Sequence, residues 1–109
     1  LDALREYLFE NRELAEKFIA ENIPGLSAVH GEATYLLWVD ISGICAESKE
    51  FVKFLRQKTG LIISAGSVYG KSGEGFIRVN IACPRSMLED GLDRLKQGAK
   101  AYQYRKDLR

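Results

Sequence analysis

Of its 109 residues, this chain spends only one on histidine, two on cysteine, two on proline and one on tryptophan. Each scarcity excludes something. The lone His30 cannot assemble a metal site, and it leaves most His-based catalytic schemes without a partner. Cys45 and Cys83 are too few for a disulfide framework. Both read as inert thiols, Cys45 in a loop and Cys83 at a strand-to-helix junction. An activated thiolate would need a histidine or a positive helix end beside it. Excess charge of one sign is also missing: 16 basic residues against 15 acidic ones leave a net charge of +1. That balance gives no support to nucleic-acid binding, which favours a basic patch. It gives none to an anionic membrane surface either. No apolar run approaches the roughly 20 residues needed to span a bilayer. Residues 1–22 are charged throughout, unlike a secretory leader, so the cytoplasm is the expected compartment. The first residue is Leu1 rather than Met, and the chain is expected to be a fragment of a longer one.

What is present is ordered periodicity. Residues 1–22 place Leu4, Leu8, Ala15, Phe18 and Ile19 at helical spacing, and Pro24-Gly25 closes the segment. A short strand over 26–30 and a turn at Gly31-Glu32 follow. Thr34 to Ile41 reads as a strand with Tyr35, Leu37 and Val39 on one face and Leu36, Trp38 and Asp40 on the other. Both faces are largely apolar, which predicts a central strand covered on both sides, with Tyr35 and Trp38 in the core. Ser48 to Thr59 reads as a second helix with an apolar stripe of Phe51, Val52, Phe54 and Leu55, stopped by Gly60. Leu61 to Ser64 reads as a short buried strand, and 65–75 as a glycine-rich loop. A strand over Phe76 to Ala82 follows. A last helix starts at Pro84 and runs to about Gln97 or beyond, with Met87, Leu88, Leu92 and Leu95 facing inward. The tail from Tyr102 is polar and reads as frayed. This order predicts one α+β domain over 1–109: a small, mainly antiparallel sheet of about four strands with helices packed on it. Strands 34–41 and 76–82 are the expected central neighbours.

Arg78 is the residue that points to chemistry. Phe76, Arg78, Asn80 and Ala82 share one strand face, while Ile77, Val79 and Ile81 share the other. By pattern alone such an arginine is usually just solvated. A planar guanidinium on a rigid strand is also well suited to grip a carboxylate through two parallel hydrogen bonds. Asn80 lies two residues on and either orients that guanidinium or serves the structure. Arg85 falls in the first turn of the last helix, where positive charge is mildly unfavourable. A solvated side chain is the ordinary reading for it, and the placement hints at a carboxylate partner or an interdomain contact. The loop from Gly66 to Gly75 contains a Gly70-Lys71-Ser72 run, yet it lacks the glycine spacing and the following helix of a phosphate-binding loop.

The run GEGFIRVNIACPRSMLEDGL, residues 73–92, closely resembles the C-terminal segment of fold-type I pyridoxal-phosphate-dependent aminotransferases. It is most similar to their cystathionine β-lyase, or C–S lyase, branch. GEATYLLWVDISG, residues 31–43, resembles the strand that opens the small domain's sheet in that family. The resemblance implies that the chain is the C-terminal small domain of a larger enzyme whose large domain, absent here, carries the Schiff-base lysine and most contacts to pyridoxal phosphate. It implies that Arg78 binds the α-carboxylate of an amino-acid substrate, and that Tyr69 and Ser67 on the active-site rim could approach the substrate side chain. It also implies a homodimer in the intact enzyme and an inactive isolated fragment. The alternative is a free-standing amino-acid-binding regulatory α+β module, in which Arg78 grips an effector and no reaction follows. No catalytic residue, metal ligand, nucleic-acid contact or membrane contact is expected within the chain.

Overall fold

The computed structural model describes residues 2–29 and 35–107. His30 and the predicted turn at Gly31-Glu32 lie outside them. Helix α1 spans Asp2–Asn22, followed by strands β1 (Ser27–Val29) and β2 (Leu36–Asp40). Helix α2 (Ser48–Thr59) comes next, then β3 (Ser64–Ala65), two short 3-10 turns at Gly66–Tyr69 and Lys71–Gly73, β4 (Phe76–Asn80) and α3 (Arg85–Asp107). The sheet has the order β1-β2-β4-β3 with every neighbouring pair antiparallel. The α+β architecture is as the sequence predicts, and β2 and β4 are the central pair.

Alternation decides which face is buried. Leu37, Val39 and Ile77 are fully buried, as is Ile81 just past β4. They meet Ala15 and Ile19 of α1, Phe51 and Leu55 of α2, and Leu88, Leu92, Leu95 and Ala99 of α3 in one core. Each such aliphatic side chain contributes about 1.5–3 kcal/mol relative to leaving it in water. Gly60 ends α2 as predicted. It adopts φ 79° and returns its N–H to the Arg56 carbonyl at 3.0 Å, a left-handed cap that favours glycine.

Several expectations are corrected. β2 is central within the sheet but covered on one face only. Leu36, Trp38 and Asp40 stay half-buried, and Tyr35 is exposed. The segment 61–64 is not a buried strand. Only Ser64 and Ala65 pair with β4, and Ile62 is exposed, because this edge has no further strand to pack on. Leu4 and Met87 point to solvent rather than inward, on the outer side of their helices' first turns. The tail is not frayed at Tyr102. Helix α3 continues to Asp107, and Tyr102 is buried edge-on against Phe51 and Phe54. Its hydroxyl donates to Glu50 Oε1 at 3.1 Å. Pro84 caps α3 from just outside, accepting the Met87 and Leu88 N–H groups at 3.0 Å.

One polar group is fully buried in α1. Asn11 donates to the carbonyls of Ile81 at 2.9 Å and Cys83 at 3.1 Å, and accepts from Arg85 Nε at 3.0 Å. It ties the end of β4 to two helices. Asn11→Ala strands the buried Ile81 carbonyl and is expected to cost about 1–3 kcal/mol. Urea unfolding reads this directly, and an unchanged midpoint would contradict it.

Candidate functional site

The helices leave the second face of the sheet open. Pairing register places Val29, Trp38, Arg78 and Ser64 in one row across all four strands of that face. Arg78 therefore stands on a central strand, flanked on both sides by paired backbone. Its guanidinium carbon lies 4.2 Å from the centre of the Tyr69 ring, a stacked cation–π contact. Trp38 sits edge-on to Tyr69 at 5.9 Å and to Phe76 at 6.2 Å. One ring thus stacks on the cation, and Trp38 links that ring to Phe76. Beside them Val29, Trp38, Tyr69, Ser72, Gly73 and Phe76 line an open pocket of about 290 Å³.

Arg78 is half-buried, and among the described residues no carboxylate, carbonyl or hydroxyl accepts from its N–H groups. Arg85 makes the contrast. It reaches Glu10 at 3.2 Å and Asn11, and stacks over Tyr7. Arg85 is therefore not simply solvated: the hinted carboxylate partner is Glu10, within the domain. A guanidinium carries five donors in a planar fork. On Arg78 these donors are held by an aromatic plate and left for something else.

The other candidate residues separate. Tyr69 joins Arg78. Asn80 does not: its Oδ1 accepts the Ala82 N–H at 2.8 Å and shapes the exit from β4. Ser67 also stands apart. Its N–H donates to Ser48 Oγ at 3.4 Å, and its hydroxyl is buried without a hydrogen-bond partner among the described residues. Cys83 is half-buried and its thiol pKa is raised by burial, so it carries no activated thiolate. Trp38 is the site residue that periodicity placed in the core, and Phe76 was marked only as sharing the Arg78 face. Asp40 on the Trp38 face was the available signal, since a carboxylate two residues away marks a face that is not deep core.

The loop bearing Tyr69 is fastened to α2. Glu74 Oε1 accepts the Ser48 N–H at 2.7 Å and the Ser48 hydroxyl at 3.0 Å. These bonds, with the orphan donors of a helix N-terminus among them, hold the Glu74 carboxyl below its ordinary 4.5. A depressed pKa gives stability that is present above the unfolded value and lost as pH falls through the folded one. Acidification below about pH 4.5 is therefore expected to loosen this loop. Glu74→Gln should flatten that acid limb in a series of thermal melts against pH, and an identical limb in the variant would refute the assignment. Gly66 and Gly73 pack so closely backbone to backbone that a Cβ on either would strike the other's carbonyl oxygen.

A sequence profile for aminotransferase class I and II matches residues 1–95. The chain belongs to the class I and II aminotransferase family. It is 35% identical over 96 residues to cystathionine beta-lyase PatB of Bacillus subtilis, covering 88% of this chain and 25% of that protein. It is 37% identical over 102 residues to protein MalY of Escherichia coli, covering 93% and 26%. Among solved structures, cystalysin from Treponema denticola, which contains a pyridoxal 5'-phosphate cofactor, superposes with a TM-score of 0.83 at 29% identity. That match covers 92% of this chain and 25% of cystalysin. The chain thus spans about a quarter of the length of these family members. Among the described residues, no helix is long and apolar enough to cross a membrane.

Proposed function

We propose that this chain is the C-terminal small domain of a pyridoxal-phosphate-dependent C–S β-lyase or aminotransferase, and that Arg78 binds the α-carboxylate of its amino-acid substrate. The observation that carries the reading is the half-buried, stacked guanidinium whose N–H fork has no acceptor among the described residues. An amino-acid carboxylate matches that fork in charge, planarity and spacing. The resemblance of 73–92 to the family's arginine strand and the similarity to a named cystathionine beta-lyase support it.

The residues here fit a substrate carboxylate and not the cofactor. A cofactor phosphate is commonly cradled by converging backbone N–H groups at a helix N-terminus. The 66–75 loop runs into β4 instead, and the Ser48 N–H at the start of α2 is already taken by Glu74. Pyridoxal phosphate accordingly belongs to a large domain of the longer protein, and it supplies the electron sink. This chain's part is orientation: a carboxylate held at two points fixes how the substrate's Cα is presented. β-elimination from cystathionine-like substrates is the preferred reaction, with transamination sharing the same carboxylate contact. The intact enzyme is expected to be a cytoplasmic homodimer. The family match favours the enzyme reading over a free-standing regulatory module. The test is Arg78→Lys in the full-length protein, assayed for catalytic efficiency with L-cystathionine.

A further inference from the structure

The carboxylate-binding fork is not held by its own strand alone. An arginine side chain has several rotatable bonds, and a strand fixes only where it starts. In this fold the far end is fixed by Tyr69, whose ring lies 4.2 Å from the guanidinium carbon. Trp38 in turn braces Tyr69 at 5.9 Å from a position directly opposite Arg78 in the ladder. Tyr69 sits on a 3-10 turn, not on the sheet, so its own position needs an anchor. The anchor is the pair of bonds from Ser48 to Glu74, reinforced by the Ser67 N–H on Ser48 Oγ. Ser48 is fully buried although polar. Residues 48, 67 and 74 close the loop around the buried Gly66–Gly73 contact, with Tyr69 at its outer side.

We infer that Tyr69, held by the Ser48–Glu74 latch, is a positioning residue that sets the plane of the Arg78 fork and so governs affinity for the substrate carboxylate. This rests on the proposed role of Arg78 and adds to it. Tyr69 needs its ring face for this and not its hydroxyl. Ser48 and Glu74 act only through the loop and touch no substrate.

The test uses the full-length protein carrying Tyr69→Leu, Tyr69→Phe, Ser48→Ala, Glu74→Gln and Arg78→Lys. Two readings are taken for each: kcat and KM with L-cystathionine, and the calorimetric Kd of propionate, a carboxylate without an amino group. Tyr69→Leu is expected to weaken propionate binding and raise KM by about three- to tenfold, with kcat within about twofold. Tyr69→Phe should recover most of that loss, because the ring face is restored. Ser48→Ala and Glu74→Gln should shift both values in the same direction by a smaller factor. If Arg78→Lys weakens propionate while Tyr69→Leu does not, the inference fails and the carboxylate assignment stands. If Arg78→Lys leaves propionate binding unchanged, the assignment fails and the inference goes with it. Lowered thermal stability of Tyr69→Leu with propionate Kd and KM unchanged shows a merely structural loop and also overturns it.

Discussion

Arg78→Lys in the full-length protein is expected to lower kcat/KM by about 30- to 900-fold, or ~2–4 kcal/mol of transition-state binding. Charge is retained in this variant, so simple electrostatic attraction survives. What is lost is the planar fork that matches a carboxylate at two points, and the stacking on Tyr69 that holds the fork flat. Lysine would offer one compact ammonium on a stem with no aromatic plate to define its direction. The fold should be little affected. The Arg78 side chain lies on the open face of the sheet and makes no hydrogen bond among the described residues, so surface-like tolerance of about 0.5 kcal/mol is expected. A paired measurement separates the two effects: steady-state kinetics and a thermal melt on the same preparation. Catalytic efficiency near wild type would sink the carboxylate assignment. A large drop in melting temperature would instead mean that Arg78 supports the sheet.

Phe51→Ala should produce the largest loss of stability of any single change considered, about 3–5 kcal/mol. Phe51 is fully buried on α2, and its ring meets Tyr102 of α3 edge-on with centroids 5.5 Å apart. Truncation removes the transfer energy of the ring and leaves a cavity between α2, α3 and the sheet. The aromatic pair adds about 0.5–1.5 kcal/mol within that total. Leu4→Ala is the matched control. Leu4 is 58% exposed, so its loss should stay within about 0.5 kcal/mol. Urea unfolding of both variants decides the matter. Equal midpoints for the two would mean that the core is not where the structure puts it.

Leu4 and Phe51 also mark the boundary of what periodicity can tell. Each falls on an apolar stripe at helical spacing, and no local rule separates them. Only the neighbour that each helix meets makes one core and the other surface. Met87 went the same way, and Tyr102 went the opposite way, because α3 runs far enough past its polar turns to bury a ring against α2. The β2 strand shows a related limit. Alternation assigned Trp38 and Asp40 to one face correctly, but it could not say whether a second layer of helices covered that face.

Local sequence by itself determined the element order, the span of α2 with its Gly60 stop, and the two faces of the Arg78 strand. These depend on spacing, capping and alternation, which act over a few residues. Pattern alone left Arg78 as a solvated strand residue, and it was the resemblance of residues 73–92 to the aminotransferase family that singled it out. The tertiary structure alone decided that this face stays open, that Tyr69 stacks on the guanidinium and that Trp38 braces Tyr69. It also paired Glu74 with Ser48 across 26 positions of chain. Such contacts arise from strand register and loop closure between distant segments, and local spacing carries no record of them.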